Sequence, residues 1–251
     1  MTRRSAEETR RRLLAIGLQL LHERGPAAVV GHIRLSSVLR RAGLTTGAAY
    51  RIWEDQTAYH RELALEALRY RDLTSNARTV AAVLPSMLDA SATWQEVVRR
   101  GAEPNLRRYP EDVAFLTSLA IRASSFGDPE LLEAGHQRHR EALASYGELY
   151  DAVLRWSGRR MRAGFTLVDL AAALAAASEG FGLQNAAGLP HERLRLDPAA
   201  DGPGEVSWSL LAVTAVALCE KMTEADPDAP AFSASDLPAG WVGAVPGSAA
   251  G

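Results

Sequence analysis

Two groups of residues in this 251-residue sequence stand out for what their side chains could bind or hold. Thr45, Thr46, Gly47, Ala48, Tyr50 and Arg51 form a run of small, hydroxylated, aromatic and basic side chains. On the outer face of a short helix such a set could lie in a DNA major groove, with the first four residues at base edges and Tyr50 and Arg51 at phosphates. The second group is in the middle of the chain. His136 and His139 are spaced to share a metal ion, but no Cys or carboxylate-plus-His set completes a four-ligand site, so no metal is expected. With Leu132, Leu143, Tyr146, Tyr150 and Val153 they recur at steps of three and four, which predicts a buried stripe. They are then either satisfied core or interface histidines, or polar handles of a small-molecule pocket with Phe115, Tyr146 and Tyr150. Enzyme signatures are missing: there is no Gly-rich phosphate loop, Gly-x-Ser-x-Gly elbow or His-Glu-x-x-His. Neither an enzyme nor a cofactor is expected.

The framework that would hold the first group can be read around it. Leu35 to Trp53 reads as two short helices: Val38 and Leu39 face inward, and Ala42-Gly43-Leu44 supplies the small residue, the residue tolerant of positive φ and the apolar plug of a helix-turn-helix corner. Thr45 is the expected N-cap of the second helix, which turns Ala49, Ile52 and Trp53 inward. Arg34 and Ser36 at the start of the first helix and Gln56 after the second join the DNA-facing set. Upstream, Ser5 to Glu8 is a capping box opening an amphipathic helix through Leu13, Leu14, Leu20 and Leu21, stopped by Gly25-Pro26. Arg10, Arg11 and Arg12 on that helix could reach phosphates or an adjacent minor groove.

From Thr9 to about Leu65 the chain resembles the N-terminal domain of TetR-type bacterial regulators. The resemblance rests on Leu13-Leu14, Leu20-Leu21, Glu23-Arg24-Gly25, Ala42-Gly43-Leu44-Thr45, Gly47, Tyr50, Trp53 and Leu63. It departs from that pattern at Leu39, Trp53 and Gln56, where the family usually has Ala, Phe and a phosphate-binding Lys. The resemblance implies a helix-turn-helix DNA-binding domain, a connecting helix and a larger helical domain whose last two long helices form a dimer interface.

Composition agrees with an ordinary globular protein, at 47% hydrophobic and 23% charged residues. The net charge of −2 is uneven: through Arg61 there are eleven arginines against five acids, a balance of +6 that leaves −8 for the rest. A basic end on an acidic body is the footprint of a DNA reader held on a non-binding domain. The reading against this is that the arginines only solvate helix surfaces, since a single lysine, Lys221, suggests a general bias toward arginine. No apolar run is long enough to span a bilayer and no secretory signal is evident, so a cytoplasmic location without membrane contact is expected. The lone cysteine, Cys219, reads as a buried inert thiol.

The expected fold is all-α. A helix-turn-helix domain over residues 1–55 leads through a connecting helix at about 56–72, capped by Asp55, to a helical regulatory and dimerisation domain at 73–224. Further helices are expected at 80–88, 94–109, 111–126, 130–156, 167–187 and 205–224, and residues 225–251, rich in Pro, Ala, Gly and Ser, as a disordered tail. No strand pattern is found. Leu167, Leu170, Leu174 and Phe181 on one helix and Leu211 and Leu218 on the last are the expected homodimer interface, because the last helix is apolar all round. The function that follows is a homodimeric regulator, read as a repressor, that binds a palindromic duplex DNA operator and is released by a small-molecule effector. The alternative is a dimeric DNA-binding protein without a ligand, whose large domain only dimerises or recruits partners.

Overall fold

The computed structural model describes residues 5–70, 74–189, 191–196, 207–238 and 241. Among them are ten α-helices and four strands of two or three residues each, so the chain is mostly helical. Two compact units emerge, one from residues up to 70 together with 112–139, the other from 74–111 together with the chain beyond 139. This division differs from a linear one, because residues 112–139 pack with the N-terminal helices rather than with the large domain.

The first unit begins with α1 (Ala6–Arg24), where the Ser5 side chain accepts from Glu8 N at 3.1 Å and Gly25, at φ 79°, ends the helix. Then come α2 (Leu35–Ala42), α3 (Thr46–Ala49) and α4 (Gln56–Arg69). Asp55 caps α4 by accepting from Ala58 N at 2.8 Å. The helix ends at Arg69, and Tyr70 is extended and exposed, its ring edge-on to His22. Next in this unit is α7 (Val113–Ser124), capped by Asp112, which accepts from Phe115 N at 2.9 Å. The start of α8 (Pro129–Trp156) follows, with Asp128 accepting from Glu130 N and Leu131 N as the acid-then-proline start predicts. Leu13, Leu21, Ile33, Val38, Tyr59 and Leu63 form the centre of the core. Gly17 is required there, since a Cβ on it would lie 2.3 Å from the buried Tyr59 hydroxyl.

The second unit holds α5 (Thr74–Met87), α6 (Trp94–Arg108), the later turns of α8, α9 (Leu167–Ala186) and α10 (Leu210–Met222). A complete capping box, Thr166 with Asp169, opens α9. The last helix is shorter than expected because its flanks are strands. β3 (Ser207–Trp208) pairs antiparallel with β2 (Leu194–Arg195), and β4 (Thr223–Ala225) with β1 (Arg159–Met161). These ribbons correct the expectation of no strands; at two or three residues they are too short to show alternation. Glu103 of α6, 5% exposed, holds the first ribbon: Arg193 grips its carboxylate at 2.9 and 3.1 Å, and Ser209 N, just before α10, donates to it at 3.3 Å.

Residues 226–238 correct the expectation of a disordered tail. Leu237 and Phe232, with Trp241, pack into a core cluster with α5 and α8. The composition is that of a linker, but two bulky apolar side chains within six residues give it something to bury. The remainder of the tail, 239–240 and from 242, lies outside the described residues.

Candidate functional site

The stretch read as DNA-facing is built from α2, the Gly43 corner and α3. Arg34 takes the N-cap position of α2 without a side-chain cap, and the cap comes from elsewhere: Gln56, the first residue of α4, accepts from Leu35 N at 3.0 Å. Its amide nitrogen donates to Ile33 O at 3.3 Å and lies 2.6 Å from His60 Nε2. Both ends of the Gln56 amide are therefore engaged inside the unit. The oxygen is committed to the α2 cap, so a phosphate contact would fall to the amide nitrogen, which donates to Ile33 O.

At the other end of α2, Gly43 is left-handed at φ 67°, Leu44 N returns to Leu39 O at 3.0 Å, and Arg12 donates to Ala42 O at 3.0 Å. α3 is a single turn of four residues, shorter than a helix through Trp53, and continues as turns with Trp53 N donating to Ala49 O at 2.9 Å. Thr45 sits at its N-cap position, but only its carbonyl is used, accepting from Ala48 N at 3.0 Å; the hydroxyl makes no cap bond. Ala49 and Trp53 are buried. The Trp53 ring meets Tyr59 edge-on, and its Nε1 donates to Glu62, which also pairs with Arg10, so one carboxylate ties α1 and the turn beyond α3 to α4.

Thr45, Thr46, Gly47, Tyr50 and Arg51 are exposed, Tyr50 at 64%, and Ala48 is half-buried; Arg34 and Ser36 at the start of α2 are exposed too. The basic residues divide into two sets that sequence could not separate. Arg10, Arg12, Arg41 and Arg61 are spent internally, on Glu62, Ala42 O, Glu23 and the pair Asp128 and Glu130. The Arg61 guanidinium beside Asp128 holds that carboxyl below its ordinary range. Arg34, Arg40 and Arg51, by contrast, are exposed and have no side-chain hydrogen bond or ion pair among the described residues. Arg40 is the functional candidate that sequence reading passed over. It sits one turn before the Gly43 corner on the exposed side of α2.

The residues expected to line a small-molecule pocket are divided between the two units. Phe115, His136 and His139 belong to the first and Tyr146 and Tyr150 to the second. His136 is exposed, with Glu133 3.9 Å away, and His139 is half-buried. This corrects the reading of one buried stripe along α8, whose buried positions are Gly135, Leu149 and Ala152. The stripe assumed a single partner face for a helix of 28 residues, yet its two ends serve different cores. Tyr146 and Tyr150 stack at 5.9 Å, and Asn105 bridges Tyr146 Oη at 3.2 Å and Thr79 Oγ1 at 2.9 Å. Burial raises the Tyr150 phenol above its ordinary range. In the first unit a shallow depression of about 260 Å³ lies between α4 and α8, rimmed by Leu65, Arg69, Glu130, Glu133, Ala134 and Gln137. None of the five expected residues lines it.

The residues expected at a dimer face are of two kinds. Leu170, Leu174 and Leu211 are 1, 8 and 2% exposed within one chain; Leu170 and Leu174 pack against Ala215, Cys219 and Met222 of α10. Leu167, Phe181 and Leu218 are half-buried. The exposed apolar side of α9 is another one, with Val168 at 63% and Leu183 at 54% in line with the half-buried Ala172 and the exposed Ala176. Burial pushes the Cys219 thiol up to about 11, which keeps it protonated and inert.

Among the described residues no helix is long and apolar enough to cross a membrane, and no group of three or more His, Cys, Asp or Glu could hold a metal ion. No protein-family model matches the chain, and the curated proteins give no match.

Proposed function

We propose that α2, the Gly43 corner and α3 form a helix-turn-helix that binds duplex DNA, and that the protein is a transcription regulator acting as a homodimer. The observation that carries this reading is the partition of α3. Across α3 and the residues on either side of it, Ala49 and Trp53 are buried and anchored, while Thr45, Thr46, Gly47, Tyr50 and Arg51 are exposed. Small residues let a helix approach base edges, and the exposed Arg34, Arg40 and Arg51 supply phosphate neutralisation. The likeness of residues 9–65 to TetR-type regulators points the same way.

In this reading a second copy covers the exposed side of α9, and two recognition helices spaced about 34 Å apart read a two-fold symmetric operator. A small-molecule effector would act as far as it favours the state with the wrong spacing, so effector and DNA would weaken each other by the same factor. Repression follows if the operator overlaps a promoter. Selection of bound sequences from random duplex DNA tests the reading: a palindromic consensus supports it, and no enrichment refutes it.

A further inference from the structure

Residues 227–238 follow β4 and carry three prolines, Pro227, Pro230 and Pro238, and apart from a 3-10 turn at Ala234–Asp236 the segment joins neither helix nor ladder. Asp226 N donates to Gly158 O at 2.9 Å where the segment begins. Beyond that point, among the described residues, every hydrogen bond of 227–238 closes within 226–241. Examples are Ala229 N to Asp226 O at 3.2 Å, Ser233 N to Asp236 Oδ2 at 2.7 Å and Asp236 N to Ser233 O at 2.8 Å. Asp228 and Asp236 make no ion pair among the described residues. The segment is therefore held by side chains alone. Leu237, 8% exposed, and Phe232 enter the cluster of Val80, Val83, Leu84 and Met87 on α5 with Leu149 on α8.

The walls that receive these side chains are tied to each other without them. Trp156 Nε1 donates to Met87 O at 2.7 Å, and Asn76 Nδ2 donates to Ser145 O at 3.0 Å, each joining α8 to α5. A segment without backbone bonds to its support, on walls that stand by themselves, has the low local stability of an element that opens separately from the core. We propose that this face of α5 and α8 is a peptide-binding groove whose resident occupant is the chain's own residues 227–238. The groove takes a proline-flanked segment whose phenylalanine and leucine, five residues apart, bracket a single 3-10 turn at Ala234–Asp236, and the tethered copy holds it closed at an effective concentration on the order of millimolar. The proposal is independent of DNA binding.

The test uses the full chain. In hydrogen exchange on the wild type, the amides of residues 232–237 are expected to exchange at least 100-fold faster than those of Val83, Leu84 and Leu149. A fluorescein-labelled peptide of residues 227–238 is expected to bind the full-length F232A/L237A variant, read by anisotropy, at least tenfold more tightly than the wild type. Exchange of the segment in step with α5 and α8 would overturn the proposal, as would no binding of the peptide to a variant whose helices keep their protection. Loss of α5 and α8 protection in the variant would overturn it too, because a releasable segment is not needed by the walls it leaves.

Discussion

Gln56 Oε1 accepts from Leu35 N at 3.0 Å, so the first residue of α4 caps α2 across the whole of α3. The start of α2 and the start of α4 are thereby fixed to one another, and the exposed turn between them is held at both ends. Gln56→Ala leaves Leu35 N without its acceptor and should cost about 1–2 kcal/mol. Gln56→Lys should cost a similar amount, because an ammonium cannot accept. Urea unfolding checks both, and an unchanged midpoint for Gln56→Ala would show the cap to be idle.

Tyr59 is fully buried with a hydroxyl that has no partner among the described residues, and Gly17 is what makes room for it. Gly17→Ala should destabilise by about 1–3 kcal/mol through overpacking. Tyr59→Phe removes the clashing atom, so the double variant should recover most of that destabilisation, a non-additivity read from a double-mutant cycle. Tyr59→Phe alone should be neutral or stabilising, since an unpaired buried hydroxyl is costly. Burial raises this phenol above its ordinary value of 10.0, so the folded state loses stability as pH rises past that value, and Tyr59→Phe should lessen the effect.

Several of these features were legible in the sequence because they are local. Ser5, Asp55, Thr93, Asp128 and Thr166 each announce a helix start within three residues, and the structure begins helices there. The inward and outward residues around α3 follow from a periodicity of one turn. What was hidden depends on residues distant in sequence: the Gln56 cap spans 21 residues and the Glu103–Arg193 pair 90. The stripe on α8 misled for the same reason, since periodicity gives a face but not where along the helix its partner ends. Leu170 and Leu174 read as an interface because an apolar face looks the same whether its cover is α10 or a second chain.

Glu103 offers a pH-dependent prediction. Burial pulls its carboxyl upward, but the Arg193 guanidinium and the Ser209 bonds outweigh it, so the group sits below its ordinary value of 4.5. A depressed carboxyl contributes stability that is present above that value and lost as pH falls through the folded one. Glu103→Gln should lower stability at pH 7 by about 1–2 kcal/mol and flatten the acid limb below pH 4.5. Thermal melts from pH 7 to pH 3 would show the two curves converging, and parallel curves would rule out this origin.

The exposed side of α9 gives a prediction about assembly. Val168→Glu with Leu183→Glu should convert a dimer to a folded monomer in light scattering. Leu174→Glu should instead unfold the chain, because that side chain is buried within it. A monomeric wild type at micromolar concentration would rule out the dimer.

Whether the exposed turn at α3 meets DNA is decided by a salt titration. Binding of the wild type and of Arg51→Ala to the best duplex selected from a random library should be measured from 50 to 200 mM salt. The wild type is expected to lose affinity steeply and linearly in log–log form. Arg51→Ala is expected to bind every duplex more weakly, with a slope shallower by roughly 0.9 for each phosphate that it no longer neutralises. Wild-type binding that is absent, or equal across sequences and insensitive to both salt and Arg51→Ala, would refute DNA recognition by this turn.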